Sequence, residues 1–73
     1  MAQTLGDRLR AVRRRLGISQ EELATRSGVE QESIERVEQN KRRYLRSDDL
    51  ARLVKALGVS ADELLGTEPD NGR

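Results

Sequence analysis

Apolar side chains recur along this chain at helical rather than strand spacing. Leu5, Leu9, Val12 and Leu16 repeat every three or four residues and draw one stripe, which predicts an amphipathic helix over 5–16. Thr4 stands at its N-cap, Asp7 completes a capping box three residues on, and Gly17 stops it. Ser19 and Glu22 repeat the box and open a second helix over 20–26. Leu23 anchors that helix, and Ala24 is small enough for a neighbouring helix to press close. Gly28 sits where the chain must turn, because glycine accepts the left-handed backbone that ends a helix. Val29, Ile34 and Val37 supply the buried face of a third helix over 31–39. Asn40 then takes the helix-ending position, since asparagine tolerates the same conformation.

Residues 41–46 read as a connecting loop. A fourth helix starts at Ser47 or Asp48, carries Leu50, Leu53, Val54 and Leu57 on its apolar side, and ends at Gly58. Ser60 and Glu63 make a further capping box ahead of a short fifth helix with Leu64 and Leu65, closed by Gly66. The segment 67–73 is polar, contains the only proline, and reads as a flexible tail or the start of a linker. No internal repeat, low-complexity tract or strand pattern interrupts this order. The expectation is an all-α domain of five helices over 1–66, followed by the polar tail.

Composition narrows the chemistry. A chain of 73 residues, 34% of them apolar, fits one small domain in which caps and turns carry much of the specification. There is no cysteine, so a disulfide framework and thiolate metal sites are excluded, and no histidine, the commonest metal ligand and general base. No apolar run approaches the roughly 18 residues of a membrane span. The early arginines are not followed by an apolar segment, which argues against a secretory signal and makes an intracellular protein the expectation. No phosphate-cradling G-x-x-x-x-G-K pattern occurs. The acidic pairs Glu21-Glu22, Asp48-Asp49 and Asp62-Glu63 fall in first turns, where they favour the helix dipole. An enzyme is not expected, and no cofactor, metal or small-molecule effector is called for.

The net charge of +1 hides an uneven distribution. Residues 1–16 hold five arginines against Asp7 alone, and residues 41–46, KRRYLR, hold four basic groups and no acid. Residues 19–39 hold six glutamates against Arg26 and Arg36. Two basic clusters of this kind can form one phosphate-binding surface once the chain folds. The stretch GISQEELATRSGVEQESIERVE, from Gly17 to Glu38, has the spacing of a helix-turn-helix, whose second helix can lie in the DNA major groove.

With SQEELA at 19–24, the Gly28-Val29 turn, Ile34 with Glu38, and ALGVSADELL at 56–65, the sequence resembles the lambda-repressor/Cro-like (XRE) family of DNA-binding domains. The resemblance implies a sequence-specific transcriptional regulator of bacterial or phage origin, cytoplasmic and associated with the nucleoid. It implies a homodimer on a palindromic operator of double-stranded DNA, its two recognition helices about 34 Å apart. Base reading then falls to Gln31, Glu32 and Arg36, whose side chains suit adenine N6/N7, cytosine N4 and guanine O6/N7 respectively. Phosphate contacts fall to Ser19, Gln20, Gln39, Lys41, Arg42, Arg43 and Arg46. It further implies a partly buried ion pair between Arg13 and Glu38, joining the first and third helices. Tyr44 is expected to cover the core edge between the third and fourth helices, the alternative being a hydroxyl donated to a phosphate. Leu64 and Leu65 offer either a dimer surface or a lid on the core.

The chain departs from that family in its acidic third helix. Glu30 replaces the usual serine or threonine cap, and Glu30 and Glu32 lie where phosphate repels them. Cytosine can accommodate Glu32, whereas Glu30 has no partner evident in the sequence. Leu45 stands where proline is frequent. The alternative reading is a protein-interaction or antitoxin-type domain with its acidic helix on a protein partner; the basic loop at 41–46 argues against it.

Overall fold

The computed structural model describes residues 3–66; the tail expected over 67–73 lies outside them. Five helices follow in order: α1 (Leu5–Leu16), α2 (Gln20–Ser27), α3 (Gln31–Glu38), α4 (Ser47–Leu57) and α5 (Ala61–Leu65). No strand occurs among the described residues. The core gathers Leu9 and Val12 of α1, Leu23 of α2, Ile34 and Val37 of α3, Leu53 and Leu57 of α4 and Leu64 of α5. Ile18 and Val29 enter it from the turns, and Leu5, Ala24, Leu45, Leu50 and Val54 close its edges. Burial of these side chains is the main favourable term holding five short helices that could not stand alone.

The turns explain where the sequence pattern slips. Leu16 belongs to the α1 stripe by spacing, yet it is 45% exposed. Gly17 takes φ 73° there, and Ile18 N–H bonds back to the Arg13 carbonyl at 3.2 Å. This left-handed exit swings Ile18 inward, and it occupies the core position that Leu16 leaves. Asn40 adopts φ 63°, the left-handed form expected of it. Helix α3 itself stops one residue earlier than the pattern suggests, with Gln39 as its C-cap.

The capping boxes close to different degrees. Thr4 and Asp7 satisfy each other reciprocally. Ser19 and Ser60 accept from the N–H groups of Glu22 and Glu63, but neither glutamate returns a bond to its cap. Their carboxylates go to arginines instead: Glu22 to Arg26 at 2.5 Å and Glu63 to Arg15 at 2.9 Å. A charged donor outcompetes a neutral backbone N–H for the same oxygen.

Tyr44 does not cover the core edge. It is 63% exposed, with the Arg42 guanidinium 5.2 Å from its ring centroid. Leu45 packs there in its place. The apolar side chain wins the buried position, and the phenol keeps its hydroxyl in water and its face on a cation. The two α5 leucines also divide: Leu64 is fully buried and Leu65 is 46% exposed.

Candidate nucleic-acid interface

The surface begins with how α3 is held. Gly6, Arg10 and Arg13 recur at i, i+4 and i+7, one face of α1, and all three meet the C-terminal end of α3. At Gly6 the two helices come so close that an added Cβ would collide with the Val37 carbonyl oxygen. Arg10 donates to the Glu38 carbonyl. Arg13 donates through Nε and Nη2 to the two carboxylate oxygens of Glu38, each at 2.8 Å. Gln20, at the start of α2, donates to Glu38 Oε1 at 3.0 Å. Glu38 is only 2% exposed, so three helices converge on one buried carboxylate. The pKa of Arg13 is pushed up from its ordinary value, first by its hydrogen bond to Glu38, with desolvation opposing.

Between α2 and α3, Gly28 takes φ 80° and its N–H bonds to the Ala24 carbonyl. Val29 is drawn into the core, and its N–H is satisfied by Ser27 Oγ at 3.1 Å. With Ile34 and Val37 inward, Gln31, Glu32, Arg36 and Gln39 are left on the solvent side of α3. Gln31, Glu32 and Arg36 are thus exposed together on this short helix. They are not idle: Arg36 bonds Glu32 at 2.8 Å, and Gln31 bonds Glu35 at 3.1 Å.

The residues assigned to phosphate are spread over two segments. Ser19 is exposed at the start of α2; its Oγ accepts from Glu22 N–H at 3.0 Å, and its hydroxyl proton can still be donated. The Gln20 amide nitrogen is engaged by Glu38, which the sequence reading did not foresee. Lys41, Arg43 and Arg46 are exposed after α3, whereas Arg42 is half-buried and oriented over Tyr44. Helix α3 has no side-chain cap, consistent with the poor capping expected at Glu30. Glu30 is not isolated, however. It lines a groove of about 350 Å³ between the Gly28 turn and α4, together with Arg42, Arg46 and Arg52. Asp49 lines it too, so the arginines outnumber the acids there.

Gly6, Arg10 and Arg52 were not singled out from the sequence. A signal existed for the first two: a glycine inside a helical pattern marks close backbone approach, and the spacing to Arg13 puts Arg10 on the same face. Arg52 carried none, because only folding brings α4 beside the Gly28 turn.

Residues 4–65 match the helix-turn-helix domain family. The chain belongs to that family. The helix-turn-helix domain is similar, at 34% identity and a TM-score of 0.77, to the restriction-modification controller protein C.AhdI from Aeromonas hydrophila, over 84% of this chain and 91% of that one. It is also similar to the P22 c2 repressor, solved in complex with a synthetic operator, at 34% identity and a TM-score of 0.81. That match covers 92% of this chain and 100% of the repressor chain. The five-helix arrangement is therefore the lambda-repressor-like one. No helix among the described residues is long and apolar enough to cross a membrane.

Proposed function

We propose that this helix-turn-helix domain is a sequence-specific, DNA-binding transcriptional regulator that lays α3 in the major groove. The observation that carries the reading is the surface itself. Gln31, Glu32 and Arg36 project together from a short helix fixed at its far end, and Lys41, Arg43 and Arg46 follow at once on an exposed loop. Similarity over 92% of this chain to a repressor solved on its operator supports the same placement. Binding, not catalysis, is the activity assigned.

In this reading Gln31, Glu32 and Arg36 meet base edges. Ser19, Gln39, Lys41, Arg43 and Arg46 meet phosphates. Gln20 contributes its backbone N–H at the start of α2, where the helix dipole favours an anion, while its amide holds Glu38. Arg42 serves both Tyr44 and the groove beside Glu30. The arginines of that groove offset the Glu30 carboxylate, which phosphate would otherwise repel. Two copies on a palindrome would set their α3 helices about 34 Å apart. The exposed Leu65 is the first place to look for the contact between them.

Selection of binding sites from random duplex DNA, followed by titration of the winner at several salt concentrations, tests the proposal. A palindromic winner is expected, with log affinity falling steeply against log salt because each neutralised phosphate contributes a slope of about −0.9. Arg43→Ala is expected to weaken all sequences alike and lower the magnitude of that slope by about 1. Gln31→Ala is expected to relax preference at one base pair. No enriched sequence even at low salt would overturn the reading and return attention to a protein partner for the acidic helix.

A further inference from the structure

The exposed face of α3 carries its own internal bonds, and one of them matches a base pair. Arg36 Nη2 donates to Glu32 Oε2 at 2.8 Å, with the two side chains 58% and 68% exposed. A pair so open to water contributes little to folding. Its contact engages one guanidinium nitrogen and one carboxylate oxygen, out of five N–H donors and two oxygens. Side by side, the pair presents donors and then an acceptor. The major-groove edge of a G·C pair presents the complement, guanine N7 and O6 as acceptors and cytosine N4 as donor. An A·T edge places the O4 acceptor of thymine where the carboxylate needs a donor.

We infer that Glu32 and Arg36 read one G·C base pair as a unit, Arg36 on guanine O6/N7 and Glu32 on cytosine N4 of the same pair. The inference rests on the proposal that α3 enters the major groove, and it replaces two independent contacts by one. Residues four apart are separated by about 6 Å along a helix. That distance approaches two base steps, so two side chains reach the same pair only by converging, which the 2.8 Å bond makes them do. Charge favours the same arrangement. A lone glutamate is repelled by the phosphates around it, whereas a glutamate bonded to arginine enters the groove as a neutral couple. Glu32 then acts as a filter: it lowers affinity for every sequence that offers no amino group at its position.

The test starts from the site selected by the unaltered protein. Glu32→Ala, Arg36→Ala and the double variant are titrated against that site and against duplexes with each base pair replaced in turn. Both single variants are expected to lose discrimination at the same G·C pair, by about tenfold, and the double variant to lose no more than the worse single. Glu32→Ala is also expected to bind unrelated duplex more tightly. Thermal melting monitors the fold, which solvent-facing alanines in a helix leave intact. Relaxation at two different base pairs, or at an A·T pair, would overturn the coupled reading while leaving the DNA-binding proposal standing. Failure of the unaltered protein to enrich any sequence would overturn both.

Discussion

Replacing Glu38 by alanine is expected to cost the domain about 3 kcal/mol of stability. Glu38 is 2% exposed and accepts from Arg13 twice at 2.8 Å and from Gln20 at 3.0 Å. Its removal strands the Arg13 guanidinium, whose side chain is 13% exposed. Breaking a buried pair of this kind costs roughly 3–5 kcal/mol. The lower end applies here, because Arg13 Nη1 keeps the Ile18 carbonyl at 3.0 Å and Arg10, 37% exposed, can turn to water. A 73-residue chain has a total stability of only about 4–11 kcal/mol, at roughly 0.05–0.15 kcal/mol per residue. The loss is therefore large, and the midpoint of a thermal melt followed by circular dichroism should fall by about 12–24 °C. A cost below about 1 kcal/mol would mean that the pair behaves as an exposed one and would refute the reasoning. The combined Arg13→Met, Glu38→Leu variant separates a stranded charge from lost shape. It is expected to recover most of the stability, since matched apolar replacements of buried pairs are often neutral. A double variant as unstable as Glu38→Ala would place the energy in packing or in the Gln20 bond.

Three further outcomes follow from the same geometry. Gly6→Ala drives a Cβ into the Val37 carbonyl; separating α1 from α3 is expected to cost about 1–3 kcal/mol, and an unchanged denaturation midpoint would contradict so close an approach. Asp7 has its pKa held below the ordinary 3.8, first by the Thr4 backbone N–H against desolvation, then by Asn40, the Thr4 hydroxyl and Arg10. A depressed folded pKa gives stability that is present above the ordinary carboxylate range and lost as pH falls through the folded value. Asp7→Asn should therefore melt lower than the parent at neutral pH, with the gap closing in acid; a gap constant with pH would contradict this. Glu30→Ser gives α3 a side-chain cap that it lacks, for a gain of about 1 kcal/mol, and should raise non-specific DNA affinity; a melt unchanged by the new serine would show that the helix start gains nothing from it.

The fold was legible because each helix combined an apolar period with local stop and start signals. Gly17, Gly28, Asn40, Gly58 and Gly66 all adopt the left-handed conformation that ends a helix or follows its end, and local chemistry alone predicts that. Leu16 and Tyr44 were misread for one reason. Periodicity cannot tell where a turn redirects the chain, and so cannot say which of two neighbours, Leu16 or Ile18, Tyr44 or Leu45, reaches the core. The exposed face of α3 followed from the buried one, since fixing Ile34 and Val37 inward leaves Gln31, Glu32 and Arg36 outward. The commitments of those side chains were not legible. Glutamates at 32 and 35 each had several donors within reach, and Gln20 was claimed by a carboxylate eighteen residues away, a distance that only the folded chain abolishes.

Helix α3 is held very unequally along its eight residues. At its last residue it is anchored to α1 and α2 by three side chains, whereas at its first no side chain bonds the cap. Opening from the root requires breaking a buried charge cluster, whereas the tip is held by Val29 and Ile34 in the core and by no side-chain cap. Amide exchange should accordingly be fastest over residues 31–33 and slowest over 36–38, a gradient compressed into barely two turns. The tip is also where the side chains proposed to read bases begin. A recognition helix built this way docks at a fixed angle and still lets its leading turn settle against whatever groove width the duplex presents, so tolerance of operator variation would reside at one end of the helix and accuracy of placement at the other.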